Sequence, residues 1–272
     1  NSESFDRNRI LKQPEKEASG RIGKGGFYVL SMDVGRKGCD SVVCVFKVTP
    51  QPQGVSLKQL VNIFTLSDEH FEDQCIKVKK LFYKFKAKRL IIDGNGLGIG
   101  LLDYLVKPQI DPDTNELFPD FGVYNDEDGY YKKYRTQNCE QDALYIIKAN
   151  APINTEAHAN AQTQLSSGKV KMLIDERVAK TKLLGTKVGQ NMTPEERAEY
   201  LKPFTLTSIL KEEMMNLREE TEGVNIILKQ ANRGIRKDKF SAFEYGLYYI
   251  KHEEDNKKKK KKFNAKEWCF FN

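Results

Sequence analysis

The sequence is poor in the residues that bind soft metals or staple small folds. Its five cysteines are Cys39, Cys44, Cys75, Cys139 and Cys269; none form a CxxC pair, and only His70, His158 and His252 stand beside them. A structural zinc site draws on four such ligands at close spacing, so none is expected. A disulfide framework is not expected in a chain of 272 residues either, which reads as intracellular and reduced. No apolar run approaches the roughly 18 residues that span a bilayer, and residues 1–26 are too polar and charged for a secretory signal. With cysteine and histidine set aside, any bound metal must be held by carboxylates, which points to magnesium or manganese.

What the sequence does have is enough apolar material, 39%, to bury the core of a sizeable folded domain. Its formal charge of +7 favours a polyanionic partner, but six of the lysines form one run, Lys257–Lys262. The remaining body is close to neutral, so binding of nucleic acid has to be argued from a site. Residues 1–26 read as a linker or tail, 27–252 as the folded domain and 253–272 as a Lys-rich, solvated C-terminal tail.

Patterning along the domain alternates between strand and helix. Phe27–Val34 and Ser41–Val48 are apolar, β-rich runs separated by a glycine turn and predict an antiparallel hairpin. Val55–Leu66 supplies a third strand. Helical spacing follows over 70–86, with Phe71, Cys75, Val78, Leu81, Phe82 and Phe85 on one face. Arg89–Asp93 is a short strand buried on both faces, and Gly94–Gly100 turns into a helix carrying Leu101, Leu102, Leu105 and Val106. Phe121–Tyr124 is a fifth strand. Beyond residue 140 the expectation is mainly helical: Asp142–Ala149, Thr155–Ser166, a helix opening at Thr193-Pro194-Glu195-Glu196, and another from Thr207 to Glu220. Short strands are expected at Lys169–Ile174 and Val224–Leu228, and a last helix near Asp238. Hairpin-linked strands feeding a βαβ crossover give a mixed α/β sheet covered by helices.

Three aspartates stand where carboxylates need a reason. Asp33 interrupts an apolar strand, Asp93 ends one, and Asp238 opens an amphipathic helix after the basic stretch Asn232–Lys237. A half-buried carboxylate shifts its pKa, finds partners or binds a metal. Brought together, the three would hold two divalent ions about 3.5–4 Å apart, the arrangement that phosphodiester hydrolysis uses. Singly, each has a structural explanation: a turn at Asp33, an Asx turn at Asp93, a helix cap at Asp238.

Three stretches, SMDVGRKGCDSVVCVFKV (31–48), LIIDGNGLGIGLLDYL (90–105) and RGIRKDKFSAFEYGLYYI (233–250), resemble the C-terminal nuclease domain of viral (tailed-phage) large terminase subunits. The likeness covers most of 27–252. It implies an RNase H-like mixed β-sheet flanked by helices, with a helical and β-hairpin extension around Lys169–Glu176. It also implies that Asp33, Asp93 and Asp238 are catalytic and bind Mg2+ or Mn2+. The activity implied is cleavage of concatemeric double-stranded DNA during genome packaging, inside the host cell at the procapsid portal. The partners implied are the N-terminal ATPase domain of the same polypeptide, the portal protein and the small terminase subunit. Relatives with two adjacent acids at the last position differ from this chain, where Lys237 precedes Asp238; Asp40 is read mainly as a hairpin cap. Arg36, Lys37, Arg233, Arg236 and Lys237 are candidate contacts to the DNA backbone. Two alternatives remain open: another RNase H-like nuclease of resolvase or integrase type, and a non-catalytic DNA-binding assembly module.

Overall fold

The computed structural model describes residues 25–35, 40–51, 55–67 and 70–268, and of 259–268 the backbone alone. The expected linker residues 1–24, and Arg36 and Lys37, lie outside the described residues.

Strands β1 (Phe27–Asp33), β2 (Ser41–Thr49) and β3 (Leu57–Leu66) form an antiparallel meander. Helix α1 (Phe71–Lys84) then crosses back to β4 (Ala87–Asp93), which pairs parallel to β1. Helix α2 (Leu97–Leu105) follows at once, and a two-residue ladder, β5 (Gln109–Ile110) with β6 (Leu117–Phe118), leads to β7 (Phe121–Val123). Between β5 and β6 the Asp111 turn is polar and closed on itself: Asp111 accepts from Asp113 N and Thr114 Oγ1 and pairs with Lys80 at 2.7 Å.

The segment read as a helix at Asp142–Ala149 is a strand, β8 (Glu140–Ile147). It lies between β7 and β4, parallel to both. Ala143, Leu144, Ile146 and Ile147 are all buried, because a strand inside a parallel sheet is covered on both faces. Its apolar run therefore lacks the alternation that marks a half-exposed strand, and a short run of that kind has no decisive period.

After β8 come α3 (Ala151–Ser166), β9 (Val170–Lys171), α4 (Glu176–Leu184), α5 (Lys187–Asn191) and α6 (Pro194–Met215). The capping box expected at Thr193 is present, with Thr193 Oγ1 accepting from Glu196 N and Glu196 Oε2 accepting from Thr193 N. The two helices expected over 193–220 are one: α6 carries Pro203 in its interior and stops at Met215. Leu217–Glu222 is not its continuation but strand β10, paired across Gly223 with β11 (Asn225–Gln230). This hairpin forms a two-stranded sheet of its own; Lys169–Glu176, expected to be a strand pair, instead adds β9 to the edge of β3 and then enters α4. Helix α7 (Asp238–Trp268) is the last element of the described residues and runs through the lysines expected to form a tail.

The seven-stranded sheet has the order β7-β8-β4-β1-β2-β3-β9, an RNase H-like arrangement of a meander extended by parallel strands. Alternation along β1 assigns Tyr28, Leu30 and Met32 to one face, packed with α1 and α2 through Val78, Phe82 and Leu101. Val29 faces the other way, onto α7, α3 and α6 through Phe243, Ala157 and Leu210. The sheet and α7 approach closely at Gly246, where a Cβ would stand 2.4 Å from the Phe46 ring and 3.1 Å from Ser31 Cβ. No helix among the described residues is long and apolar enough to cross a membrane.

Candidate metal centre

Register brings the first two aspartates together. Met32 pairs with Ile92 across parallel β1 and β4, so Asp33 and Asp93, one residue further on, end adjacent strands at the same level. Alternation turns both toward the face of Val29 and Ile91, where α7 packs. Helix α7 begins over this sheet edge with Asp238 as its first residue, so the third aspartate arrives from the opposite chain direction.

Local structure fixes each position. Beyond Asp33, buried Ser41 accepts from Gly35 N at 2.8 Å and donates to Gln74 Oε1 at 2.7 Å, while Gln74 Nε2 donates to Gly35 O. Asp93 Oδ1 accepts from Asn95 N at 3.0 Å, the Asx turn foreseen for it, and Asn95 Nδ2 reaches Ala149 O at 2.8 Å. Helix α2 can start this near the strand end only because residue 98 is glycine: a Cβ there would lie 1.7 Å from Asp93 O. The basic loop before Asp238 is tied down by Asn216, whose amide donates to Asn232 O and accepts from Asn232 N, both at 2.8 Å. Gln230 Nε2 donates to Ile235 O in the same loop.

The electrostatics follow from this crowding. Asp33 is pushed up from 3.8 to about 7, first by burial, then by the charges of Asp238, Asp93 and Glu213, with Lys237 opposing. Burial also raises Asp93, against the backbone N–H groups of Asn95 and Ala149. It raises Asp238 too; there Arg236, Lys239 and Lys237 oppose the shift and Asp40 adds to it. Asp40, read as a hairpin cap, is thus close enough to act on Asp238. Mutual repulsion among Asp33, Asp93, Asp238 and Glu213 is what a hard divalent cation relieves, and an all-oxygen donor set suits magnesium or manganese. Among the described residues no group of three or more His, Cys, Asp or Glu is drawn in closely enough to hold an ion. On the chemistry of its donors, the site fits a divalent metal.

Of the basic residues expected near the site, Arg233, Arg236 and Lys237 are exposed on the loop leading into Asp238, and Arg236 Nη1 lies 3.8 Å from Asp238 Oδ2. Two residues that the sequence did not single out complete the surroundings. Glu213, 2% exposed on α6, accepts from Phe240 N at 2.9 Å and from Lys239 Nζ at 3.3 Å. Glu244, one face round on α7, pairs with His158 Nδ1 of α3 at 2.5 Å. Burial raises the Glu244 carboxyl, with His158 opposing. Glu213 lies outside the three stretches that carry the resemblance and Glu244 inside the last of them; the partners of both are found only once α6, α3 and α7 are packed together.

No protein-family model matches the chain, and no curated protein matches it. Similar solved structures exist. The large terminase nuclease from thermophilic phage G20c with bound magnesium is 12% identical, with a TM-score of 0.44 over 87% of this chain and 97% of that one. The large terminase nuclease domain of Thermus phage P74-26 is 12% identical, at a TM-score of 0.43 over 83% and 80%. A mutant nuclease domain of the large terminase subunit of bacterial virus Sf6, with manganese, is 9% identical, at 0.44 over 90% and 97%.

Proposed function

We propose that this chain is a metal-dependent endonuclease domain of a viral large terminase subunit, cleaving concatemeric double-stranded DNA by two-metal phosphodiester hydrolysis. The observation that carries the reading is the register of β1 and β4, which ends Asp33 and Asp93 level on the face that α7, opening at Asp238, packs against. Asp33, Asp93 and Asp238 are the proposed ligands. Bound there, Mg2+ or Mn2+ supplies Lewis acidity for activating water and for stabilising charge on the leaving oxygen.

The chain's own groups do the rest. Strands β1 and β4 end Asp33 and Asp93 at one level on one face of the sheet, where a scissile phosphate could be met by both. Lys237, Arg233 and Arg236, together with Arg36 and Lys37, which follow Asp33 in the sequence, are proposed to bind flanking phosphates. Such contacts hold the duplex in register without reading its sequence. In the packaging assembly, the N-terminal ATPase domain, the portal protein and the small terminase subunit would present the DNA, inside the host cell at the procapsid.

Incubation of supercoiled plasmid with the protein and Mg2+, Mn2+ or EDTA tests the proposal. Nicked and linear products are expected with either metal and none with EDTA, and Asp33→Asn should abolish them. Cleavage that persists in EDTA, or that survives Asp33→Asn, rejects it.

A further inference from the structure

Helix α7 brings a cation to the site along with its aspartate. Lys239 follows Asp238 directly, its side chain is 12% exposed, and its charge acts on Asp238. A lysine so placed competes with a divalent cation for the same carboxylate. The fold supplies that lysine with another partner: Glu213 Oε1, 3.3 Å from Lys239 Nζ, on a side chain 2% exposed. The other oxygen of Glu213 accepts from Phe240 N at 2.9 Å, so a single carboxylate holds both the lysine and the first turn of α7.

We propose that Glu213 is a positioning residue that retains Lys239 in a buried ion pair and so leaves the carboxylate of Asp238 available to a metal ion. The inference rests on the metal-centre reading above. Three features favour this role over simple helix anchoring. Anchoring Phe240 N needs only a neutral acceptor, which glutamine provides; a charged, buried acceptor is expensive without a cation to offset it. Glu213 also feels the charge of Asp238, which places the two carboxylates in one electrostatic neighbourhood. Finally, the Lys239 side chain is 12% exposed and its charge reaches Asp238 as well as Glu213.

In Glu213→Gln the bond to Phe240 N persists while Lys239 loses its counter-charge. Mn2+ affinity, followed by the paramagnetic resonance signal of free Mn2+, should then weaken about tenfold, the lower end of what groups supporting metal ligands contribute. The double variant Glu213→Gln/Lys239→Gln should return to near wild-type affinity, because the competing cation is gone. Lys239→Gln alone should bind Mn2+ at least as tightly as wild type. Anchoring alone predicts no rescue. The inference is overturned if Glu213→Gln binds Mn2+ like wild type, if the double variant stays as weak as the single one, or if Lys239→Gln alone weakens binding. Wild-type protein that takes up no Mn2+ rejects the metal-centre reading, and this inference with it; uptake by wild type without a response to Glu213→Gln rejects the inference alone.

Discussion

Replacing Asp33 with asparagine removes a charge that the fold holds at a disadvantage. The carboxyl moves from 3.8 to about 7 in the folded chain. Below pH 3.8 it is protonated whether folded or not, and contributes no pH dependence. Between 3.8 and about 7 the unfolded chain has released the proton and the folded one retains it. Stability therefore falls as pH rises through this window and stays reduced above it. A rise of that size, at roughly 1.4 kcal/mol for each tenfold change, sets an upper bound of about 4.5 kcal/mol. Sharing of the repulsion with Asp93 and Asp238, and partial solvent access, reduce it to about 1–3 kcal/mol. For a domain of this size that is a rise in Tm of about 3–8 °C for Asp33→Asn at pH 8 in EDTA. At pH 4 the two proteins should differ little. Urea unfolding followed by circular dichroism at both pH values measures the difference directly. Saturating Mn2+ should reverse the ranking at pH 8, since ligand at a hundredfold its Kd adds about 2.7 kcal/mol to wild type alone. An asparagine variant less stable than wild type at pH 8 in EDTA would refute the reasoning.

Gly98→Ala forces a Cβ to within 1.7 Å of Asp93 O, so β4 or α2 must shift; a loss of about 1–3 kcal/mol in urea unfolding is expected, with plasmid cleavage reduced further than the stability loss explains. His158→Ala leaves the buried Glu244 without its partner; about 3 kcal/mol of destabilisation is expected near neutral pH, largely recovered in His158→Ala/Glu244→Gln. Lys237→Ala and Arg233→Ala should each weaken duplex binding similarly for unrelated sequences and lower the slope of log K against log salt by about 1, measured by fluorescence anisotropy.

The part of the fold that carries the site is also the part most readable from sequence. β1, β2 and β4 are short apolar runs between glycine turns, and α1 has a clear apolar face, so the meander and the first crossover follow from pattern. Asp33 and Asp93 are legible because each is a charge at the end of such a run. β8 is not, since burial on both faces erases alternation and Asp142 breaks the backbone with φ +57°. Leu217–Glu222 carries mostly charged residues and reads like an exposed helix; its strand character comes from pairing with Asn225–Gln230, a contact outside its own window. Where two helices were expected, opening at Thr193 and at Thr207, one runs through Pro203, with Thr207 Oγ1 donating to Pro203 O at 2.7 Å. Glu213 had no local signal, and Glu244 stood within the 233–250 stretch without one that marked it as an acid with a partner. Their importance lies in what α6, α3 and α7 press against them, and three-dimensional packing of that kind leaves no periodic trace.

The central claim is that carboxylates from two strands and one helix meet around divalent cations. Diffraction from crystals soaked in Mn2+, recorded at a wavelength where manganese scatters anomalously, tests this most directly. Anomalous peaks are expected between Asp33, Asp93 and Asp238, lost in Asp33→Asn crystals. No peak there, or manganese held elsewhere with the three side chains unmoved, would contradict it.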